Sequence, residues 1–144
     1  MIIEGEDGVN FINIYSKASS SLGRWLSNFT YAPIQLNGKT YLSIETLWFY
    51  DLTGNDEILK YYGYKAKEIG SKFPRVKEIN QQLIKDALDV KIKTYPDKML
   101  ELAQTTLPLT HQYQYGDKWV DAKYDWIPQH FELRRQQLKE YYKI

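Results

Sequence analysis

Residues 25–52 read Trp25-Leu-Ser-Asn-Phe-Thr-Tyr-Ala-Pro-Ile-Gln-Leu-Asn-Gly-Lys-Thr-Tyr-Leu-Ser-Ile-Glu-Thr-Leu-Trp-Phe-Tyr-Asp-Leu52. Two short strand-like runs, 31–36 and 39–42, flank Asn37-Gly38. Both turn residues tolerate positive φ, so the pattern predicts a tight β-hairpin. A helix follows directly. Ser43 is suited to be its N-cap, and Glu45 falls in the first turn, where a carboxylate favours the helix dipole. Ile44, Leu47, Trp48, Phe49, Tyr50 and Leu52 occupy nearly the whole circumference. A short helix that is apolar all round is a buried helix. Gly54-Asn55 ends it.

Outward from this stretch the signals are plainer. Residues 9–15, with Val, Phe and two Ile between asparagines, predict a strand, and the serines and glycine of 17–24 a loop. Short helical pieces are expected over 56–62 and 64–70. A longer helix is expected over 76–93, with Ile79, Leu83, Ile84, Ala87, Leu88 and Lys91 on one side. Pro96 suits the first turn of a helix through Met99, Leu100 and Ala103. Residues 105–123 read as loop with one strand, and Pro128 opens a last helix carrying Phe131, Arg135, Leu138 and Tyr142. The sum is an α+β fold, mainly helical, with a small N-terminal β-sheet or hairpin, in one domain over residues 1–144.

Composition sets the limits. Nineteen basic against eighteen acidic side chains leave a net charge of +1, which is not the balance of a polycation that coats nucleic acid. With no cysteine, thiolate metal sites, disulfides and cysteine nucleophiles are excluded. The opening Met-Ile-Ile-Glu-Gly-Glu-Asp lacks the basic flank and apolar core of a signal peptide, and no apolar run is long enough to span a membrane. A cytoplasmic location without membrane association is the expectation. His111 and His130 have no second ligand at helical spacing, so no metal is expected. No Gly-rich phosphate loop or nucleophile elbow occurs.

Thirteen Tyr, five Phe and four Trp make the chain 15% aromatic. Rings with a polar edge suit a site that stacks a flat ring, and equally suit tyrosine-rich packing. Glu45 shares a helix face with Trp48, Phe49 and Leu52. A carboxyl set over aromatics is desolvated, which raises its pKa and equips it to move a proton near neutral pH. The alternative is a surface carboxylate that only meets the helix dipole. Asn28 offers donors and an acceptor for a ring edge, an amide or a ribose hydroxyl, or else holds its own loop. Asp117 sits in Gly116-Asp117-Lys118-Trp119, a surface turn by its residues. Lys65, Lys67, Lys72, Arg75 and Lys77 form a basic cluster, suited to phosphates or to a solvated face.

Leu26-Ser-Asn-Phe29, a proline, Leu36-Asn-Gly-Lys-Thr-Tyr41 and Ser43-Ile-Glu45 with aromatics behind it, in this order, resemble the NADAR (YbiA-like) family. Ala66-Lys-Glu-Ile-Gly70, the 83–105 stretch, Asp117-Lys-Trp119 and Glu132-Leu-Arg134 extend the resemblance from about Asn13 to Leu138. It implies an N-glycosidase, which hydrolyses a C–N bond at a ribose C1′. The family's substrates are ribosylamino-pyrimidine intermediates of riboflavin synthesis or ADP-ribosylated nucleobases, such as guanine in DNA. By the same resemblance Glu45 is the principal catalytic carboxylate and Asp117 a second one. Asn28 contacts ribose or base, Trp119 is a stacking wall, and Arg24, Trp25, Ser27, Phe29 and Trp48 complete the substrate site. The implied partner is a nucleotide-like small molecule or an ADP-ribosylated nucleic acid, with no cofactor. The chain departs from the family pattern at Thr46, Trp48-Phe49, Val120 and Asp125-Trp126-Ile-Pro128, positions expected on the substrate side. A catalytically inactive module that binds an NAD-derived nucleotide is the other reading these departures leave open.

Overall fold

The computed structural model describes residues 5–144, so the first four residues of the stretch read for a leader lie outside the described part. In chain order the elements are β1 (Ile12–Asn13), α1 (Ser21–Leu26), β2 (Ile34–Leu36), β3 (Lys39–Tyr41) and α2 (Ile44–Thr53). A 3-10 turn (Asp56–Lys60) leads to α3 (Gly63–Gly70), α4 (Gln81–Thr94) and α5 (Pro96–Gln104). The chain continues through β4 (Leu109–Thr110), β5 (Gln112–Tyr115) and β6 (Lys118–Asp121) to α6 (Trp126–Tyr142). The mixed helix-and-strand class expected from the sequence is the class observed. By its packing the chain divides into two compact units, Asn28–Tyr95 and the remainder before and after it.

In the Asn28–Tyr95 unit the hairpin forms as the sequence reads. Asn37 and Gly38 take φ of 52° and 80°, and Ile34 pairs with Tyr41. Ser43 caps α2, its side chain accepting the Thr46 N–H, and Gly54 ends the helix at φ 67°. Ile44, Leu47, Trp48, Phe49 and Leu52 are all buried, as an all-round apolar helix requires. α2 packs against α3 and α4, and β2 also packs on α4. The long helix begins at Gln81 rather than at residue 76. Asp51 explains the delay: its two oxygens take Lys77 Nζ and the Asn80 N–H, each at 2.8 Å. Val76 donates its N–H to Leu52 O, and only then does Asn80 cap α4 by accepting from Leu83 N.

The close fit of α3 on α2 rests on one glycine. A Cβ on Gly70 would lie 2.6 Å from three atoms of Phe49, whereas carbon atoms pack at about 3.5–4.0 Å. Replacing a helical Gly by Ala ordinarily gains up to about 1 kcal/mol. Here overpacking outweighs that gain, and Gly70→Ala is expected to lower stability by about 1–3 kcal/mol. Denaturant unfolding checks this; an unchanged midpoint would mean that Phe49 moves aside freely.

In the other unit, β1 runs parallel to β4, β5 and β6 form a second hairpin around Gly116, and α5 packs against α1 and α6. Strand pairing is therefore not confined to the N-terminal end, because 105–123 supplies three strands where one was expected. The strand expected over 9–15 shrinks to two residues, since Gly8 and Val9 are held in a turn, Gly8 N–H to Phe11 O. The expected loop over 17–24 already contains the start of α1. Ser20 accepts from Gly23 N at 3.0 Å and caps it. α6 starts at Trp126, and Pro128 sits inside its first turn, where a missing N–H costs nothing.

Candidate functional site

The first turn of α2 is held by a saturated set of hydrogen bonds. Thr46 Oγ1 donates its one proton to Tyr61 O at 2.6 Å. The 2.9 Å contact between Ser43 Oγ and Thr46 Oγ1 must then carry the serine proton. Ser43 Oγ in turn accepts from Thr46 N at 3.2 Å and Gly63 N at 3.1 Å, which uses both its lone pairs. Thr46 is fully buried, and both of its side-chain contacts are made within the protein. Trp48 and Phe49 are buried as well.

Glu45 sits between these anchors. Its N–H donates to Asn28 O at 2.9 Å, and the residue is only 8% exposed. The surface-carboxylate alternative is thereby excluded. Burial pushes its carboxyl up to about 7, against the opposing pull of the positive charge of Lys67 on α3. Asn28 Oδ1 is also buried and has no hydrogen-bond partner among the described residues. Buried polar atoms are nearly always paired, so an orphaned acceptor on a loop that is bonded to Glu45 suggests an atom kept for a ligand. The turn at Gly63 is fixed twice over. Its φ is 58°, and a Cβ there would come within 2.8 Å of Phe29 O.

The residues singled out by sequence fall into both units. Glu45, Asn28, Phe29 and Trp48 belong to Asn28–Tyr95. Arg24, Trp25, Ser27, Asp117 and Trp119 belong to the other. Arg24 is exposed, and its guanidinium donates to Ala18 O and Ser19 O at 2.8 and 3.1 Å, which ties down the turn before α1. Trp25 and Ser27 are buried. Asp117 is exposed on the β5–β6 turn, as a surface turn residue would be. Trp119 meets the Tyr15 ring edge-on at 5.8 Å.

The basic cluster is partly a solvated face: Lys65 pairs with Glu68 and Lys77 with Asp51. Sequence reasoning placed Lys67 in that cluster without seeing its action on Glu45. Lys91, which the sequence places on the apolar side of the long helix, is buried on α4 with its amine pushed down to about 7 by desolvation. Among the described residues no group of three His, Asp or Glu is placed to hold a metal, and no helix is long and apolar enough to cross a membrane. A cleft of about 380 Å³ between the β2–β3 hairpin and α4 is lined by Pro33, Ile34, Gln35, Thr40, Val90 and Thr94. None of these is among the catalytic or substrate-binding residues expected from the sequence, and Glu45 is not in its walls.

No family model matches the chain, and no curated protein matches it in sequence. Among solved structures it is similar to the NMR structure of the E. coli protein YbiA, with a TM-score of 0.67 and 19% identity over 92% of this chain and 86% of that one. The chain thus shares the fold of YbiA, the fold that the resemblance of residues 25–52 implies.

Proposed function

We propose that the protein belongs to the NADAR family and is an N-glycosidase that hydrolyses a ribose C1′–N bond. The observation that carries this reading is Glu45: a buried carboxyl that titrates near 7, bonded through its N–H to the loop of an unpartnered Asn28 Oδ1. Such a reaction passes through an oxocarbenium-like sugar cation. The C1′–N pair of electrons leaves with the base, whose nitrogen takes up a proton from solvent, and water adds to C1′ and gives up a proton. An ionised Glu45 stabilises the cation and accepts the proton of the attacking water. Asn28 Oδ1 accepts a hydrogen bond from a ribose hydroxyl or a base N–H. Asp117 and Trp119 stay in the proposal as further substrate contacts carried over from the resemblance.

The test is base release followed by chromatography, with guanine-ADP-ribosylated DNA and, separately, ribosylamino-pyrimidine phosphates. The expected result is free base from one of the two substrates. If both substrates stay intact but ADP-ribose binds, the protein is a nucleotide-binding module and the hydrolase reading fails.

A further inference from the structure

Tyr31 and Tyr62 are large rings left in water, 57% and 49% exposed, yet they are fixed edge-to-face with centroids 4.9 Å apart. Their anchoring connects them to Glu45. Tyr62 is held from both sides by the first turn of α2. Its preceding carbonyl, Tyr61 O, accepts from Thr46, and its following N–H, on Gly63, donates to Ser43. These two anchors are the residues flanking Ile44 and Glu45. Tyr31 lies three residues beyond Asn28, whose carbonyl takes the Glu45 N–H. An exposed, pre-ordered aromatic pair is thus built onto the same turn as a buried acid and an orphaned acceptor. Rings held rigid before binding lose little entropy when a flat ligand stacks on them. We infer that Tyr31 and Tyr62 form the stacking platform for the heteroaromatic base of the substrate. The base is held there while its sugar carbon is presented to Glu45. The assignment of that sugar carbon rests on the N-glycosidase reading, but the stacking does not.

The experiment is calorimetric titration of the native chain and of Tyr31→Ala, Tyr62→Ala and Tyr62→Phe with two probes, guanosine 5′-monophosphate and ribose 5-phosphate. Stacking of one base contributes enough that each alanine variant should bind the nucleotide at least about tenfold more weakly. Ribose 5-phosphate affinity should stay within about twofold, because it has no base to stack. Tyr62→Phe keeps a ring and should bind both probes nearly as the native chain does, which guards against a mere folding defect. Alanine variants that bind the nucleotide like the native protein would overturn the platform. So would a native protein that binds ribose 5-phosphate as tightly as the nucleotide. A parallel titration with a guanine-containing single-stranded oligonucleotide separates a nucleic-acid-linked base from a free one, the linked base showing tighter and salt-sensitive binding. Base release is read separately. No release, with nucleotide affinity lost in Tyr62→Ala, removes the N-glycosidase reading and keeps the platform. Release with unchanged nucleotide affinity in both alanine variants does the reverse.

Discussion

Glu45→Gln is expected to lower base release by at least about 10²-fold while leaving nucleotide affinity within a few-fold of native. The amide keeps the size of the carboxyl but can neither carry the negative charge nor take a proton from water. Because the Glu45 carboxyl titrates near 7, the native rate should rise with pH through about 7 and level off above it. A rate that is flat from pH 5.5 to 8 would remove Glu45 from the chemistry. The same substitution has a second readout. The folded-state pKa of Glu45 lies above its ordinary value of 4.5, so between these values the folded chain holds a proton that the unfolded chain has lost. Stability linked to this group is therefore fully present below about pH 4.5. It is lost as pH rises toward 7, by about 3 kcal/mol in all. Glu45→Gln lacks that loss, so its melting temperature should fall less than the native one over the same range. A variant that is less active and yet relatively more stable at pH 8 is what a residue kept for function at a cost in stability gives.

Asn13→Ala is expected to destabilise the unit that contains it by about 3–5 kcal/mol. Asn13 is fully buried on β1. Its Nδ2 donates to Gln112 O, and its Oδ1 accepts from Gln112 N and from Thr110 Oγ1, all at 2.9 Å. Alanine would leave three polar groups without these partners at the only parallel strand pair among the described residues. Urea unfolding followed by circular dichroism measures the effect. A loss below about 1 kcal/mol would mean that water replaces the amide without penalty.

What the sequence made legible was local. Asn37-Gly38, Ser43 with Glu45, Gly54 and Pro96 each act within one turn of chain, and each does in the structure what its chemistry dictates. The misread boundaries were set by distant partners. Asp51 holds Asn80 from 29 residues away and fixes where α4 can begin. Ser20 competed with a run of serines that reads as loop, although its spacing to Gly23 was a usable capping signal. The face of Glu45 was readable, with Trp48 and Phe49 at helical spacing, but its N–H bond to Asn28 O and the charge of Lys67 acting on it come from segments distant in sequence. Tyr31 and Tyr62 are 31 positions apart in the chain and nothing in either local sequence pairs them; only the turn at Gly63 does.

The division into two units also sets an order of synthesis. The Asn28–Tyr95 unit is one uninterrupted stretch of chain, and its end is tied back to its beginning by the Tyr95 hydroxyl on Pro33 O. The other unit is split, and Asn13 must meet Thr110, a residue 97 positions later. A ribosome that makes this chain delivers every residue of the first unit before the partner strand of β1 exists. The residues of β1 are among the last to obtain their native neighbours. During that interval the leading segment, with Ile12 and Ile14 still uncovered, depends on its own polar residues to remain in water.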